Sequence, residues 1–321
     1  LNRPPDTDSN VSKAELHSAG KPTFLTTCAG IISSLALLIH TVFLGVFLYA
    51  FILLRIILPA RQAQQLANPV ITAIASLWLA GILWWLNHIH RVQWDIRGLS
   101  RQGKKDWYLL SANHQSWVDI FVLYQIYHGK VPLLKFFIKK ELAYVPIVGQ
   151  AWWALDFPFM RRYSKQFLAK HPEKAGDDLK ETQKACEKFS LTPTSVMNFL
   201  EGTRFTVAKH RDQQSPFKHL LRPKAGGLAF AIQALGDKFS ALTNVTIYYP
   251  QGIPSFWDMM CGRFKHAVVQ IEELPIPAHF SKGDYQNDDA LRLEIQQWVT
   301  EIWLKKDEQL SVLAGHKAEH L

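Results

Sequence analysis

The chain has 321 residues, of which 48% are hydrophobic and 20% are charged, and its formal net charge is +9. This length allows one sizeable domain with accessory elements or two small domains. The three cysteines, Cys28, Cys186 and Cys261, lie far apart without a Cys-x-x-Cys pair, which argues against a zinc site and a disulfide framework. Because no nucleic-acid-binding motif accompanies the positive charge, we expect an anionic membrane surface, and no nucleic acid, as the partner.

The N-terminal part of the chain divides into a polar segment and two apolar segments. Residues 1–21 are polar and mixed in charge, and we expect a mobile tail. The apolar run 31–53 exceeds the roughly 20 residues that cross a bilayer. A second apolar run, 70–86, carries tryptophans, which favour the membrane boundary, and it either spans or forms a hairpin in one leaflet with the first. We predict a membrane-embedded helical anchor over residues 22–90.

Basic residues indicate an orientation for this anchor. Arg55 and Arg61 lie between the two apolar runs, and further Arg and Lys residues follow the second. The positive-inside rule then favours a cytoplasmic position for the large C-terminal part. If both runs span, the N-terminus is cytoplasmic too; if they form a re-entrant pair, every polar part lies on one face.

Residues 91–321 have the pattern of an α/β domain. Short apolar runs alternate with longer helical patterns, which predicts a mixed, largely parallel sheet flanked by helices. The predicted strands are 107–112, 195–200, 245–249 and 268–273, and the predicted helices are 177–189, 224–235 and 289–305.

The first predicted strand is followed by His114 and Asp119. Residues five apart on a straight helix differ by about 140° in direction, so these two side chains meet only if the chain bends at Gln115 and Ser116. A histidine beside a carboxylate can act as a general base, which favours acyl transfer. Alternatively, Ser116 and Asp119 form an ordinary helix N-terminus and His114 is structural.

Basic residues bracket an aromatic stretch further along the chain. Lys140 precedes Trp152 and Trp153, and Arg161 and Arg162 follow them. Arginine can grip a phosphate in a bidentate way while apolar walls bury a chain, so this surface fits a substrate with an anionic head and an apolar tail. The alternative is that both tryptophans pack in the core or anchor the protein at an interface.

An apolar strand ends in the run Glu201-Gly202-Thr203-Arg204. Gly202 permits a close backbone approach, and Thr203 and Arg204 offer donors to an oxyanion. Ligands of α/β sheets bind at the carboxyl ends of strands, so we predict a phosphate site here. An ordinary turn with a Glu/Arg pair is the alternative.

Together these segments resemble the glycerolipid acyltransferase family, the PlsC-like lysophosphatidic acid acyltransferases and their relatives. The first block of that family, Asn-His-x-x-x-x-Asp, is present as Asn113, His114 and Asp119. The resemblance covers roughly residues 91–274 and looks closest to the bacterial inner-membrane YihG-type branch. The second and third blocks are matched by Pro146, Gly149, Phe159 and Arg162, and by Phe199, Glu201, Gly202, Thr203 and Arg204.

The resemblance implies transfer of a fatty acyl group from acyl-CoA or acyl carrier protein to the free hydroxyl of lysophosphatidic acid (1-acylglycerol 3-phosphate), giving phosphatidic acid without another cofactor. His114 would be the general base and Asp119 would orient it. It also implies an inner-membrane protein whose catalytic domain faces the cytoplasm. Another lysophospholipid acceptor, a thioesterase and a non-catalytic lipid-binding protein remain alternatives. The implied substrate-binding residues are Lys140, Arg161, Arg162, Glu201, Gly202, Thr203 and Arg204.

Overall fold

The computed structural model describes residues 22–98, 100–160, 189 and 192–318. The predicted tail over residues 1–21 lies outside the described residues. So do Arg161, Arg162 and nearly all of the predicted helix 177–189.

A mixed sheet with one antiparallel pair lies at the centre of the α/β domain. Its strands are β1 (Gln93–Arg97), β2 (Trp107–Ala112), β3 (Leu134–Phe136), β6 (Ser195–Phe199), β7 (Phe239–Tyr248) and β8 (His266–Leu274), and β4 (Ile138–Lys139) and β5 (Phe159–Met160) form a separate parallel pair. The order in the main sheet is β1-β8-β7-β2-β6-β3. All its neighbouring strands are parallel except β7 and β8, which confirms the predicted mixed, largely parallel sheet.

Helices cover both faces of this sheet. Neighbouring residues of β2 point to opposite faces, and Leu109 and Leu110 accordingly belong to two different apolar cores. The core around Leu110 includes residues of the two N-terminal helices, and the core around Leu109 includes residues of the C-terminal helix. The helices are α1 (Phe24–Ile57), α2 (Asn68–His88), α3 (Val118–Tyr127), α4 (Val148–Ala154), α5 (Val207–Asp212), α6 (Gly226–Leu235), α7 (Phe256–Met260) and α8 (Asp289–Ala318).

Two elements of the α/β domain extend far beyond their predicted bounds. Strand β7 begins at Phe239 rather than at residue 245, because Thr243 and Asn244 interrupt the apolar pattern although both are buried in the sheet. Helix α8 continues to Ala318 rather than ending at residue 305. The added part of the helix includes Lys306, a residue type usually found at the surface, whose side chain is fully buried here.

The predicted apolar pair forms two helices, α1 and α2, that pack side by side. Each is long and apolar enough to cross a membrane. The indole Nε1 of Trp78 donates to Thr41 Oγ1 at 3.0 Å, and His40 Nε2 lies 3.2 Å from the carbonyl oxygen of Trp78. Gly81 makes room for the imidazole, because a Cβ there would lie 2.6 Å from His40 Nε2. These polar contacts fix how the two helices face each other.

Helix α1 contacts the α/β domain along most of its length. Near its start, a Cβ at Gly30 would lie 2.6 Å from Cys261 Sγ. Near its end, Arg55 Nη2 forms an ion pair with Asp156 Oδ1 at 3.1 Å. At 1.5 Å per residue these two points are about 38 Å apart on the helix. Between them, Gly45 approaches Ile147, and Tyr49 Oη donates to Gln150 Oε1 at 3.1 Å.

The side of α1 turned away from the domain is apolar and exposed. Phe24 is 81% exposed and Ile39 is 69% exposed, and other large apolar residues of the helix are exposed as well. The helix therefore has one apolar side packed on the domain and another apolar side open to its surroundings.

Candidate active site

The chain bends between β2 and α3, and this bend brings His114 and Asp119 together. Asp119 lies in the first turn of α3. Its Oδ2 accepts the backbone N–H groups of Gln115 at 2.6 Å and Ser116 at 2.8 Å. The same oxygen lies 2.9 Å from Nδ1 of His114. The carboxylate therefore holds both the turn and the imidazole.

Ser116 lies two residues before α3. Its hydroxyl accepts the N–H of Val118 at 3.1 Å and donates to the carbonyl oxygen of Pro254. Of the helix-terminus alternative, the acidic residue in the first turn is present as Asp119, whereas the N-cap residue is Trp117 and not Ser116. Because the Ser116 hydroxyl is buried in these hydrogen bonds, the arrangement does not favour it as a nucleophile.

The second oxygen of Asp119 is held by Tyr249, which follows β7. The phenol Oη of Tyr249 donates to Asp119 Oδ1 at 2.5 Å, and both side chains are buried. Burial and then the neighbouring Asp119 charge raise the pKa of Tyr249 well above its ordinary value, so that the phenol remains a donor. Tyr249 has no recognisable motif in the sequence, since only the fold brings the end of β7 to α3.

We expect Tyr249→Phe to lower the free energy of unfolding by about 1.5–3 kcal/mol, because one oxygen of a buried carboxylate loses its donor. Thermal denaturation in detergent measures the change. Tyr144→Phe is the matched control, because Tyr144 is 78% exposed. Equal losses of stability in the two variants would show that the Tyr249 hydroxyl does not stabilise Asp119.

Glu201 lies behind His114 and holds its backbone. Its Oε1 accepts the N–H of His114 at 2.8 Å, and its Oε2 accepts the N–H of Leu221 at 3.0 Å. The carbonyl oxygen of His114 in turn accepts the N–H of Phe205 at 2.7 Å. Burial raises the pKa of Glu201 to about 8, against the opposing effect of the two N–H donors. Glu201 is fully buried, and the contacts of its carboxylate are those of a positioning residue rather than a cavity wall.

Two further side chains fix the histidine. Asn113 joins the end of β2 to β7, because its amide donates to the Ile247 carbonyl oxygen at 2.9 Å and accepts the Ile247 N–H at 2.8 Å. The Phe199 ring stacks on the His114 imidazole, with ring centroids 3.9 Å apart and planes 12° apart. The stacking fixes the orientation of the imidazole ring. His114 also lines a cavity.

A cavity of about 800 Å³ opens in front of His114. Its size falls within the range of about 300–1,000 Å³ that is usual for small-molecule sites. One end is lined by His114, Trp117, Thr203 and Arg204, and the remainder is largely apolar. The apolar walls come from α1, α2 and the domain, including Leu44, Leu48, Ile74, Trp78, Phe136, Leu142, Ile147 and Trp152.

Arg204 lines the cavity, and a second cation, Lys209, binds the turn that carries it. The exposed guanidinium of Arg204 has its Cζ 5.0 Å from the ring centroid of Trp117. Lys209 Nζ donates to Thr203 Oγ1 at 2.6 Å and to the Arg204 carbonyl oxygen at 3.0 Å. Burial and then the Arg204 charge lower the pKa of Lys209. Lys209 is an additional residue of this turn that was not predicted from the sequence; it lies in helix α5, five residues after Arg204.

Of the other predicted substrate-binding residues, Gly202 lines the cavity and Lys140 does not. Gly202 lines the cavity and has φ +67°, a conformation that favours glycine. Lys140 lies in a short 3₁₀ helix (Lys140–Tyr144), whereas it is the preceding residue, Lys139, that lines the cavity. Among the described residues, no group of three or more His, Cys, Asp or Glu side chains could hold a metal ion.

This geometry suits proton abstraction from a hydroxyl. An ionised carboxylate only accepts hydrogen bonds, so Asp119 favours the His114 tautomer that carries its proton on Nδ1. Nε2 then keeps a lone pair that can take a proton. An apolar cavity on one side and cations on the other leave room for an amphiphile between them.

The chain is similar in sequence to known acyltransferases. Residues 93–250 match the family model described as Acyltransferase. The chain is 26% identical over 235 residues to 1-acyl-sn-glycerol-3-phosphate acyltransferase delta from Homo sapiens, covering 70% of this chain and 57% of that protein. It is 24% identical over 248 residues to the human gamma enzyme, covering 72% of this chain and 60% of that protein. The chain thus spans less than two thirds of the length of these relatives.

A solved structure extends the comparison to the fold. The crystal structure of the 1-acyl-sn-glycerophosphate acyltransferase PlsC from Thermotoga maritima superposes with a TM-score of 0.50 at 18% sequence identity. The match covers 89% of this chain and 95% of that chain. This likeness shows the fold, and the family model together with the curated relatives shows that the chain is similar in sequence to PlsC-like glycerolipid acyltransferases.

Proposed function

We propose that the protein transfers a fatty acyl group from an acyl thioester, acyl-CoA or acyl carrier protein, to the free hydroxyl of lysophosphatidic acid, giving phosphatidic acid. The observation that carries this proposal is the His114–Asp119 pair, 2.9 Å apart, at the boundary between an apolar cavity and exposed cations. The relatives named 1-acyl-sn-glycerol-3-phosphate acyltransferases support the choice of acceptor. The YihG-type assignment stays a prediction.

The proposed reaction uses His114 as a general base. Nε2 takes the proton of the acceptor hydroxyl as its oxygen attacks the thioester carbonyl carbon. The C–S bond then breaks, and the leaving thiolate takes the proton back from the imidazolium. Asp119 stabilises that imidazolium and keeps the ring in one tautomer, and no covalent acyl-enzyme is needed.

The cavity supports an amphiphilic substrate. Its walls are mainly aliphatic and aromatic, so an acyl chain is stabilised there by loss of apolar surface from water. At the polar end, Arg204 presents donors suited to a phosphate, and Lys209 fixes the turn beneath it. In this proposal Arg204 binds the phosphate of the acceptor, and Thr203 lies beside it in the cavity lining.

We further propose that α1 and α2 lie in one leaflet of the inner membrane, with the catalytic domain in the cytoplasm. A helix that crossed the bilayer would leave the domain surface, whereas α1 touches the domain from Gly30 to Arg55. Its open side is apolar, as expected for a helix lying in the boundary between headgroups and acyl chains. The re-entrant alternative from the sequence is therefore the one that the contacts favour.

Cysteine labelling distinguishes the two arrangements. In a protein whose native cysteines are replaced by serine, we expect Arg61→Cys and Lys305→Cys to react with a membrane-impermeant maleimide from the same side of the membrane. Arg61 lies between α1 and α2, and the exposed Lys305 reports the side of the domain. Labelling from opposite sides would mean that both helices span.

One assay tests the function itself. Purified protein is offered a panel of lysophospholipids and acyl thioesters, and the products are identified by mass spectrometry. Formation of phosphatidic acid from lysophosphatidic acid is the expected result. Release of free fatty acid without transfer would identify a thioesterase, and binding without turnover would identify a lipid-binding protein.

A further inference from the structure

Exposed apolar residues of the α/β domain lie beside the end of α1. Tyr144, Val145 and Pro146 are consecutive and exposed, and Tyr144 is 78% exposed. Trp153, on the neighbouring helix α4, is 51% exposed. The lining of the cavity includes none of these four residues, so the candidate active site does not account for their exposure. We call the four residues the apolar patch.

Helix α1 holds the loop that carries the patch. The N–H of Ile147 donates to Tyr49 Oη at 3.1 Å, and a Cβ at Gly45 would lie 2.9 Å from Ile147 Cγ2. Ile147 has φ +66°, a conformation that is rare for a β-branched residue and persists only where surrounding contacts hold it. The contacts with α1 therefore fix the loop that exposes Tyr144 and its two neighbours.

Arg55 joins α1 to the other part of the patch. Its guanidinium Cζ lies 5.5 Å from the ring centroid of Trp153, and its Nη2 forms the ion pair with Asp156. The next residues of α1, Ile56 and Ile57, are exposed. The exposed apolar surface of the helix thus continues onto the α/β domain.

The start of α1 is flanked in the same way. A Cβ at Gly30 would lie 2.9 Å from the Trp257 ring, and Trp257 and Phe256 of α7 are both exposed. Ile31 and Ile32, which follow Gly30, are exposed as well. Aromatic residues of the domain therefore stand beside α1 near both of its ends.

The helices that carry these residues pack on one face of the sheet. Leu48 of α1, Ala154 of α4 and Met259 of α7 belong to the same apolar core. Leu310 of α8 belongs to the core on the opposite face. A bilayer that meets the open side of α1 therefore meets the face that bears the patch, and α8 lies on the face turned away from it.

We propose that the α/β domain contacts lipid directly through the apolar patch, which lies with α1 at the boundary between headgroups and acyl chains. Tyrosine and tryptophan are favoured at this boundary, and arginine can keep its charge among the headgroups while its stem stays in apolar surroundings. Contiguous exposed apolar surface is typical of membrane contacts. This inference rests on the membrane placement of α1 and α2 proposed above.

The contact has a consequence for the substrate. Ile147 follows the patch in the chain and lines the cavity, and the exposed Phe256 of α7 lines it as well. Lipid in contact with the patch therefore reaches the rim of the cavity. The acyl chain of an acceptor can then pass from the bilayer into the cavity without crossing water.

Nitroxide labels measure whether the patch lies in lipid. In the protein whose native cysteines are replaced by serine, Tyr144→Cys and Trp153→Cys are labelled, and the protein is placed in vesicles of phosphatidylcholine and phosphatidylglycerol. Oxygen concentrates among acyl chains, whereas a nickel chelate stays in water. We expect both labels to relax mainly with oxygen, like a label on Ile39→Cys at the open side of α1. A label on Lys305→Cys, in α8, should relax mainly with the nickel chelate.

The outcomes separate this inference from the membrane placement of the helices. Nickel access at positions 144 and 153, with oxygen access at position 39, would overturn the domain contact and leave α1 in lipid. Nickel access at position 39 as well would overturn both proposals. Patch labels shielded from both reagents would show contact with a second copy of the chain, which would also overturn the inference.

Transfer activity provides a second readout. Tyr144→Glu and Trp153→Glu should each raise KM for long-chain lysophosphatidic acid in vesicles about tenfold, since each removes a large apolar side chain from lipid. A short-chain lysophosphatidic acid that is soluble in water should be used as before, because neither side chain lines the cavity. Leu293→Glu makes a matched change at an exposed position of α8 and should affect neither acceptor. Equal losses on both acceptors, or no loss in vesicles, would overturn the inference.

Discussion

His114→Ala is expected to lower kcat for acyl transfer by about 10²–10⁴-fold, the usual contribution of a positioned general base. Asp119 and Phe199 hold the imidazole in place, and Glu201 holds the backbone of His114. These contacts position the imidazole as the base, so its removal leaves the site without one. Steady-state transfer from a defined acyl thioester to lysophosphatidic acid measures the loss, with circular dichroism and melting temperature as checks on folding.

Asp119→Asn tests the role of the carboxylate that orients His114, apart from the role of the imidazole itself. The amide presents only one acceptor oxygen, whereas Asp119 accepts four hydrogen bonds at its two carboxylate oxygens. We therefore expect a severe loss of kcat together with a lower melting temperature, in contrast to His114→Ala, which should remain folded. A folded His114→Ala protein with near-normal transfer would rule out the mechanism proposed here.

Arg204→Ala is expected to reduce transfer to lysophosphatidic acid about ten- to a hundredfold more than transfer to monoacylglycerol, because a charged hydrogen bond is worth about 1.5–3 kcal/mol. Monoacylglycerol has no phosphate, so its transfer should be nearly unchanged. Arg204→Lys should also be impaired, since an ammonium does not reproduce the planar bidentate contact. The measurement is kcat/KM for both acceptors with one acyl donor.

Arg211→Ala is the control for Arg204. Arg211 lies in the adjacent helix α5 and is exposed, so it removes the same charge from the same region without touching the cavity. The control should affect both acceptors little. Equal losses on both acceptors in Arg204→Ala would assign Arg204 a structural role above Trp117, or a contact with the acyl donor instead of the acceptor phosphate.

The sequence alone predicts those features of the fold and the site that depend on a local pattern of residues. Long uncharged runs predict helices α1 and α2, and the bend that joins His114 to Asp119 follows from their spacing and the intervening turn residues. The α/β class follows from alternating periodicity, which does not depend on which strands become neighbours.

Long-range pairing accounts for what the sequence did not show. The contact between Tyr249 and Asp119 depends on the register of β7 beside β2. Lysine is usually a surface residue, and only the packing of α8 against β7 shows that Lys306 is buried. Glu201 was expected at the substrate, but the fold turns its carboxylate to the backbone of His114 and Leu221. A single sequence carries no signal that distinguishes these partners.

The N-terminal helices and the α/β domain line the same cavity, so the domain cannot be separated from the helices without opening it. Leu44, Leu48 and Trp78 belong to the N-terminal helices, yet they face the same space as His114. A fragment starting at β1 would therefore lose one wall of its substrate compartment and expose the apolar surface beneath it to water. Attachment to lipid and formation of the reaction chamber are one property of the fold, so a water-soluble catalytic fragment cannot be obtained simply by trimming away the helices.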